Sequence, residues 1–130
     1  MMDFETARTK MVDSQLRISP DAALFNGDPV WVFTTQSNDQ LAAQLADKNA
    51  QLITLPATPD GQVDLVYLMH WLGKQQINEV HTEAGAQLNG ALWQAGQVDA
   101  ILSYIAPVIL GPGRPLMYLD PLPDLAHARR

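Results

Sequence analysis

The chain has no cysteine. Disulfides, thiolate zinc sites and a cysteine nucleophile are excluded together. A cysteine-free chain also fits the cytoplasm, the compartment expected here. Basic residues are scarce: 8 Lys and Arg stand against 14 Asp and Glu, for a formal net charge of −6. A surface of that sign repels phosphate backbones, so no nucleic-acid partner is expected. An anionic ligand would need a local device, such as backbone N–H groups at a helix start. No apolar run approaches the length of a membrane span, and no membrane partner is expected. The opening, Met1 to Lys10, carries Asp3 and Glu5 without an apolar core, so it does not read as a signal peptide. There is no P-loop, no G-x-S-x-G elbow and no G-x-G-x-x-G fingerprint. His70, His81 and His127 share no ligand spacing, so no metal is expected.

What remains is globular. Apolar residues make up 47% of the 130, and charged residues 17%, which places the chain away from disordered compositions. That length is most simply one domain, 1–130. Short apolar runs alternate with segments of helical period. Val30-Trp31-Val32-Phe33-Thr34 reads as a strand buried on both faces. Ser37, with Gln40 three residues on, has the spacing of a capping box, and Leu41, Ala42, Leu45 and Ala46 form the stripe of the helix it opens. Gln51 to Leu55 is a second strand, stopped by Pro56, and Pro59-Asp60-Gly61 is a turn. Leu65, Leu68, Met69 and Leu72 fall at i, i+3, i+4 and i+7, predicting a helix that Gly73 ends in a left-handed cap. Ile77 to Thr82 is a third strand. Leu88, Ala91, Leu92 and Ala95 repeat the helical spacing up to Gly96, and Ala100 to Ile105 is a fourth strand. From Pro107 the chain is loop-like, with Gly111-Pro112-Gly113-Arg114-Pro115 and then Pro121 and Pro123.

This alternation predicts an α/β fold in three layers, with mainly parallel strands in the order β-α-β-α-β-α-β and a further strand at Lys10 to Asp13. In such sheets, ligands sit beyond the carboxyl ends of the strands. The loop best placed for chemistry is Glu83-Ala84-Gly85-Ala86-Gln87-Leu88-Asn89-Gly90, which follows a predicted strand and opens a helix. Gly85 permits a tight turn or close ligand approach, and the first N–H groups of the helix are free for a phosphate. Gly90 costs about 1 kcal/mol of helix propensity relative to alanine, which implies a packing or ligand reason. The plainer readings stand beside these: Gly85 only turns the chain, Gly90 only packs, and Glu83 is a solvated loop acid or local cap. Asp13 and Ser14 form either a plain turn or a turn with a hydroxyl contact to a ligand.

The stretch LVYLMHWLGKQQINEVHTEAGAQLNGALWQAGQVDAILSYIAPVILG resembles the later half of the reductase domain of the bifunctional deaminase–reductase of riboflavin biosynthesis. Four features match in order: Leu72-Gly73-Lys74; Glu83-Ala84-Gly85; Leu88, Gly90 and Ala91 followed by Ala95-Gly96-x-Val98-Asp99; and Tyr104-Ile105-Ala106-Pro107 with Leu110-Gly111. Upstream, Val12-Asp13-Ser14-Gln15-Leu16-Arg17 resembles the end of an earlier family strand, so the likeness covers 12–125 and leaves 1–11 as an atypical start. The resemblance implies a dihydrofolate-reductase-like fold. It also implies NADPH-dependent reduction of the ribosyl group of 5-amino-6-(5-phosphoribosylamino)uracil to ribityl. By that resemblance Ser14, Gly85, Ala86, Gln87, Leu88, Asn89, Gly90 and Ala91 contact NADPH, Glu83 contacts the pyrimidine ribosyl phosphate substrate, and no catalytic acid or base is assigned.

The family's Ser-Leu-Asp-Gly opening segment, its closing strands and its zinc-binding deaminase half have no counterpart here. The expectations that follow are a weak reductase on its own and a homodimer or larger assembly. The alternative is a non-catalytic nucleotide-binding or interaction module derived from the same domain. Met1 to Arg17 also resembles the opening of bacterial protein-L-isoaspartate methyltransferases, without their glycine-rich S-adenosylmethionine loop downstream. Two alternatives stay open there: Glu5 to Leu16 is a helix, as in the methyltransferase, or ends in a strand, as in the reductase.

Overall fold

A computed structural model of the chain describes residues 9–129, so the expectations for 1–8 lie outside it. The chain forms two compact units, Met1–Leu68 and Met69–Arg130. The architecture is α/β with a parallel sheet.

The first unit is built on three strands in the order β1-β2-β3: β1 (Thr9–Val12), β2 (Val30–Thr34) and β3 (Ala50–Thr54). All are parallel, with Val12 beside Phe33 and Phe33 beside Ile53. Every residue of β2 is buried, as its unbroken apolar run demands of a central strand covered on both faces. Side chains alternate across it. Val30 and Val32 join Phe25, Leu41, Leu45 and Ala50 in one cluster, and Trp31 and Phe33 meet edge to face with centroids 6.3 Å apart. Helix α1 (Asp39–Ala46) makes the crossover between β2 and β3 and packs on β3 through Leu41 and Leu45. Its cap is Asn38, whose Oδ1 accepts from the Leu41 N–H at 2.9 Å, and not Ser37 as the capping-box spacing implied. The turn at Pro59-Asp60-Gly61 forms as expected, with Gly61 at φ 82° and its N–H donating to the Thr58 carbonyl at 2.9 Å.

Residues 9–12 are the strand of the reductase-like alternative, which rules out a helix across them. The run is short and carries Lys10, whose ammonium lies 5.8 Å from the Trp31 ring centroid.

Helix α2 (Leu65–Lys74) passes from the first unit into the second, and α3 (Ala86–Gln94) belongs to the second. Gly96 ends α3 as its sequence position predicts. It sits at φ 70°, the Gly96 N–H donates to the Trp93 carbonyl, and the Gln97 N–H donates to the Leu92 carbonyl, each at 3.0 Å. Helix α2 corrects the expectation for Gly73. It runs on to Lys74, and the left-handed residue is Gln76 at φ 62°, with the Ile77 N–H on the Leu72 carbonyl at 3.1 Å. A side chain in that conformation is strained. Gln76→Gly is therefore expected to raise stability by about 0.5–1 kcal/mol, read as a higher urea midpoint at unchanged slope.

The strands expected at Ile77 to Thr82 and Ala100 to Ile105 do not form among the described residues. Neither segment pairs in a ladder, and 100–105 is exposed throughout. A strand exists only as part of a ladder, so apolar, β-branched composition creates a preference that an unpaired segment cannot realise. The observed order is β-β-α-β-α-α in place of the four-strand alternation, and parallel pairing links β1, β2 and β3 only.

Candidate functional site

The loop after residue 82 opens α3 at Gly85, which occupies the N-cap in extended conformation (φ −72°, ψ 173°) and supplies no side-chain cap. The Ala86, Gln87 and Leu88 N–H groups have no partner among the described residues. No acidic residue lies in the first turn to offset the positive end of the helix. A Cβ on Gly85 would meet nothing within 4 Å, so neither strain nor crowding requires glycine there. What glycine does is leave the space before the helix clear.

That space is a cleft of about 360 Å³, lined by Ala84, Gly85, Ala86, Gln87 and Asn89 on one side and by Arg114, Pro115, Leu116 and Tyr118 on the other. Two hydrogen bonds hold the walls together. The Tyr118 N–H donates to the Ala86 carbonyl at 3.0 Å, and Asn89 Nδ2 donates to the Leu116 carbonyl at 3.2 Å. Asn89 Nδ2 also donates to the Ala84 carbonyl at 3.0 Å, which fixes the loop onto the first turn of α3. Among the described residues no carboxylate lines the cleft, and Arg114 is its only cation. The Ala86 and Gln87 N–H groups and the Arg114 guanidinium are donors that suit a phosphate ester.

The residues expected to bind cofactor are thus distributed unevenly. Gly85, Ala86, Gln87 and Asn89 line the cleft. Leu88 and Ala91 do not, and Gly90 is buried against the backbone of Tyr118. Glu83 is exposed beside the loop and outside the lining. Ser14 lies in the first unit, beyond the carboxyl end of β1. There its hydroxyl accepts from the Val63 N–H at 3.0 Å, and its carbonyl accepts from Thr35 Oγ1 at 2.8 Å and Thr34 Oγ1 at 3.2 Å. Asp13 makes the turn, accepting from the Ile18 N–H at 2.8 Å. The Ser14 hydroxyl proton is left to donate.

Sequence reasoning missed Arg114 and Tyr118, which belong to a segment read only as loop. The available signal was the cation inside Gly111-Pro112-Gly113-Arg114-Pro115, where two prolines stiffen the backbone that presents it. Among the described residues no group of histidine, aspartate or glutamate side chains is arranged to hold a metal, and no helix is long and apolar enough to cross a membrane.

The family described as the RibD C-terminal domain matches residues 5–128. The riboflavin biosynthesis protein RibD of Escherichia coli is 39% identical over 120 residues, covering 91% of this chain and 31% of its own. That of Haemophilus influenzae is 36% identical over 128 residues, covering 91% and 30%. The 5-amino-6-(5-phosphoribosylamino)uracil reductase of Buchnera aphidicola is 28% identical over 102 residues, covering 78% and 47%. The chain therefore spans about a third of the first two relatives and about half of the third. By a family match that runs nearly end to end, this chain belongs to the RibD C-terminal domain family.

Proposed function

We propose that the chain carries out, or forms part of, the NADPH-dependent reduction of 5-amino-6-(5-phosphoribosylamino)uracil to its ribitylamino product. The reaction is named by the Buchnera relative, and the cleft at the start of α3 supports the cofactor. NADPH, when bound, supplies the hydride. The chain's part is to bind and orient. The Ala86 and Gln87 N–H groups receive a cofactor phosphate, Gly85 keeps its path open, and Asn89 holds the loop in place. Glu83 offers a carboxylate to substrate hydroxyls. The reading places this chemistry in the cytoplasm, where biosynthetic reductions draw on NADPH. It also includes self-association, supported by the apolar run 101–110, where Tyr104 is 89% and Ile109 98% exposed.

The observation that carries the proposal is the uncapped start of α3 facing a cleft without a carboxylate. Gly85→Asp tests it with two readouts. An aspartate N-cap stabilises a helix relative to glycine by a few tenths of a kcal/mol, so the fold is expected to be unharmed. The same carboxylate repels a phosphate at the helix start, and NADPH binding is expected to weaken by about 1–3 kcal/mol. Fluorescence titration with NADPH, beside a denaturation curve, reads both. Parent-like affinity in a folded Gly85→Asp protein would remove the cofactor from this loop.

A further inference from the structure

The cleft has a second wall that the cofactor loop does not supply, and its charge is concentrated in one side chain. Arg114 is the only cation in the lining, and it has no hydrogen bond or ion pair among the described residues. Elsewhere Lys48 pairs with Asp21, Lys10 lies over the Trp31 ring and Arg129 over the Trp93 ring. Arg114 borders a cleft with no carboxylate in its lining. Pro112 and Pro115 flank it closely, and the wall that carries it is fastened to α3 through Tyr118 and Leu116. An arginine so placed offers a fork of N–H donors to a phosphate, at a small cost in ordering its backbone.

We propose that Arg114 is a binding residue for the nucleotide cofactor, its guanidinium pairing with a phosphate of NADPH opposite the backbone donors of Ala86 and Gln87. The inference rests on the cofactor reading of the cleft and adds to it a charged partner 25 residues beyond Asn89. NADPH carries the required chemistry in two places, the pyrophosphate and the 2′-phosphate, and NADH carries only the first.

The test is titration of the full chain and of Arg114→Gln and Arg114→Lys with NADPH and with NADH, read by cofactor fluorescence, with circular dichroism to confirm folding. Arg114→Gln is expected to bind NADPH roughly tenfold or more weakly, the usual size of a lost charge-assisted hydrogen bond. Arg114→Lys is expected to recover part of that loss, because it restores the charge without the fork. A loss confined to NADPH assigns Arg114 to the 2′-phosphate, and an equal loss for NADH assigns it to the pyrophosphate. A parent chain that binds NADPH together with an Arg114→Gln variant of equal affinity would overturn this proposal and leave the cofactor reading standing. A parent chain that binds neither nucleotide would overturn both.

Discussion

Phe33→Ala is expected to cost about 3–5 kcal/mol and to abolish cooperative unfolding of the first unit near its normal urea midpoint. Phe33 is fully buried in the central strand, beside Val12 of β1 and Ile53 of β3, with its ring against Trp31. Deleting the ring removes its burial and leaves a hole that neighbouring side chains fill only in part. Domains of this size are stable by about 5–15 kcal/mol, so one such loss takes a large share of the total. The same strand end also holds the turn at Asp13 and Ser14. The Phe33 carbonyl accepts from the Asp13 N–H at 2.8 Å, and Thr34 and Thr35 hold the Ser14 carbonyl. Phe33→Leu keeps most of the volume and is expected to cost less than about 1.5 kcal/mol. Tryptophan fluorescence in urea reads both variants. Equal midpoints for the two would show that filling this position does not matter and that the core lies elsewhere.

The elements legible in the sequence are those whose residues carry their own reason to fold. Val30–Thr34 could be read because burial on both faces leaves no polar position in the run. Helix α1 could be read because Leu41 and Leu45 recur at helical spacing, although two adjacent capping residues, Ser37 and Asn38, made its first turn ambiguous by one position. Strand β1 reads weakly because Lys10 interrupts the pattern, and only the Trp31 ring beside it shows why a lysine is tolerated there. The segments 77–82 and 100–105 have compositions much like a strand and do not become one. Their fate turns on whether an edge is available to pair with, and local pattern does not contain that information. The end of α2 shows a similar limit. Gly73 satisfies the local rule for a helix stop, yet the chain turns at Gln76, where Leu72 and Ile77 take the two positions that commonly make an apolar contact in this motif.

Half of the candidate cleft was legible. A loop with Gly85 leading into a helix announces free backbone donors wherever it occurs, and Asn89 lies within the same stretch. The other half comes from 114–118, which has no periodicity and lies more than two dozen residues downstream. Only the folded chain shows that Tyr118 closes on Ala86. Gly90 was legible as a glycine with a reason, whether packing, as its spacing favours, or NADPH contact, as the resemblance implies. The structure supplies a packing reason.

Gly90→Ala is the second change with a large expected effect. A Cβ at Gly90 would lie 2.0 Å from the Tyr118 carbonyl oxygen, 3.0 Å from its carbon and 3.1 Å from its nitrogen. All three atoms are backbone, so no rotamer change relieves the clash, and the wall 116–118 has to move away from α3. The displacement breaks the hydrogen bond from Tyr118 to Ala86 and the one from Asn89 to Leu116. Alanine returns about 1 kcal/mol of helix propensity. Against that stand overpacking at about 1–3 kcal/mol and two hydrogen bonds at about 1 kcal/mol each. The net expectation is a loss of about 2–4 kcal/mol from the second unit, with α3 itself retained. Native-state hydrogen exchange reads the event directly: the Tyr118 amide is expected to lose protection while amides inside β2 keep theirs. Because the departing wall carries Arg114, NADPH affinity is expected to fall at least as far as in Arg114→Gln. A Gly90→Ala protein whose Tyr118 amide stays protected would show that the wall is not packed on this glycine, and the reason for Gly90 would then have to be sought in a ligand.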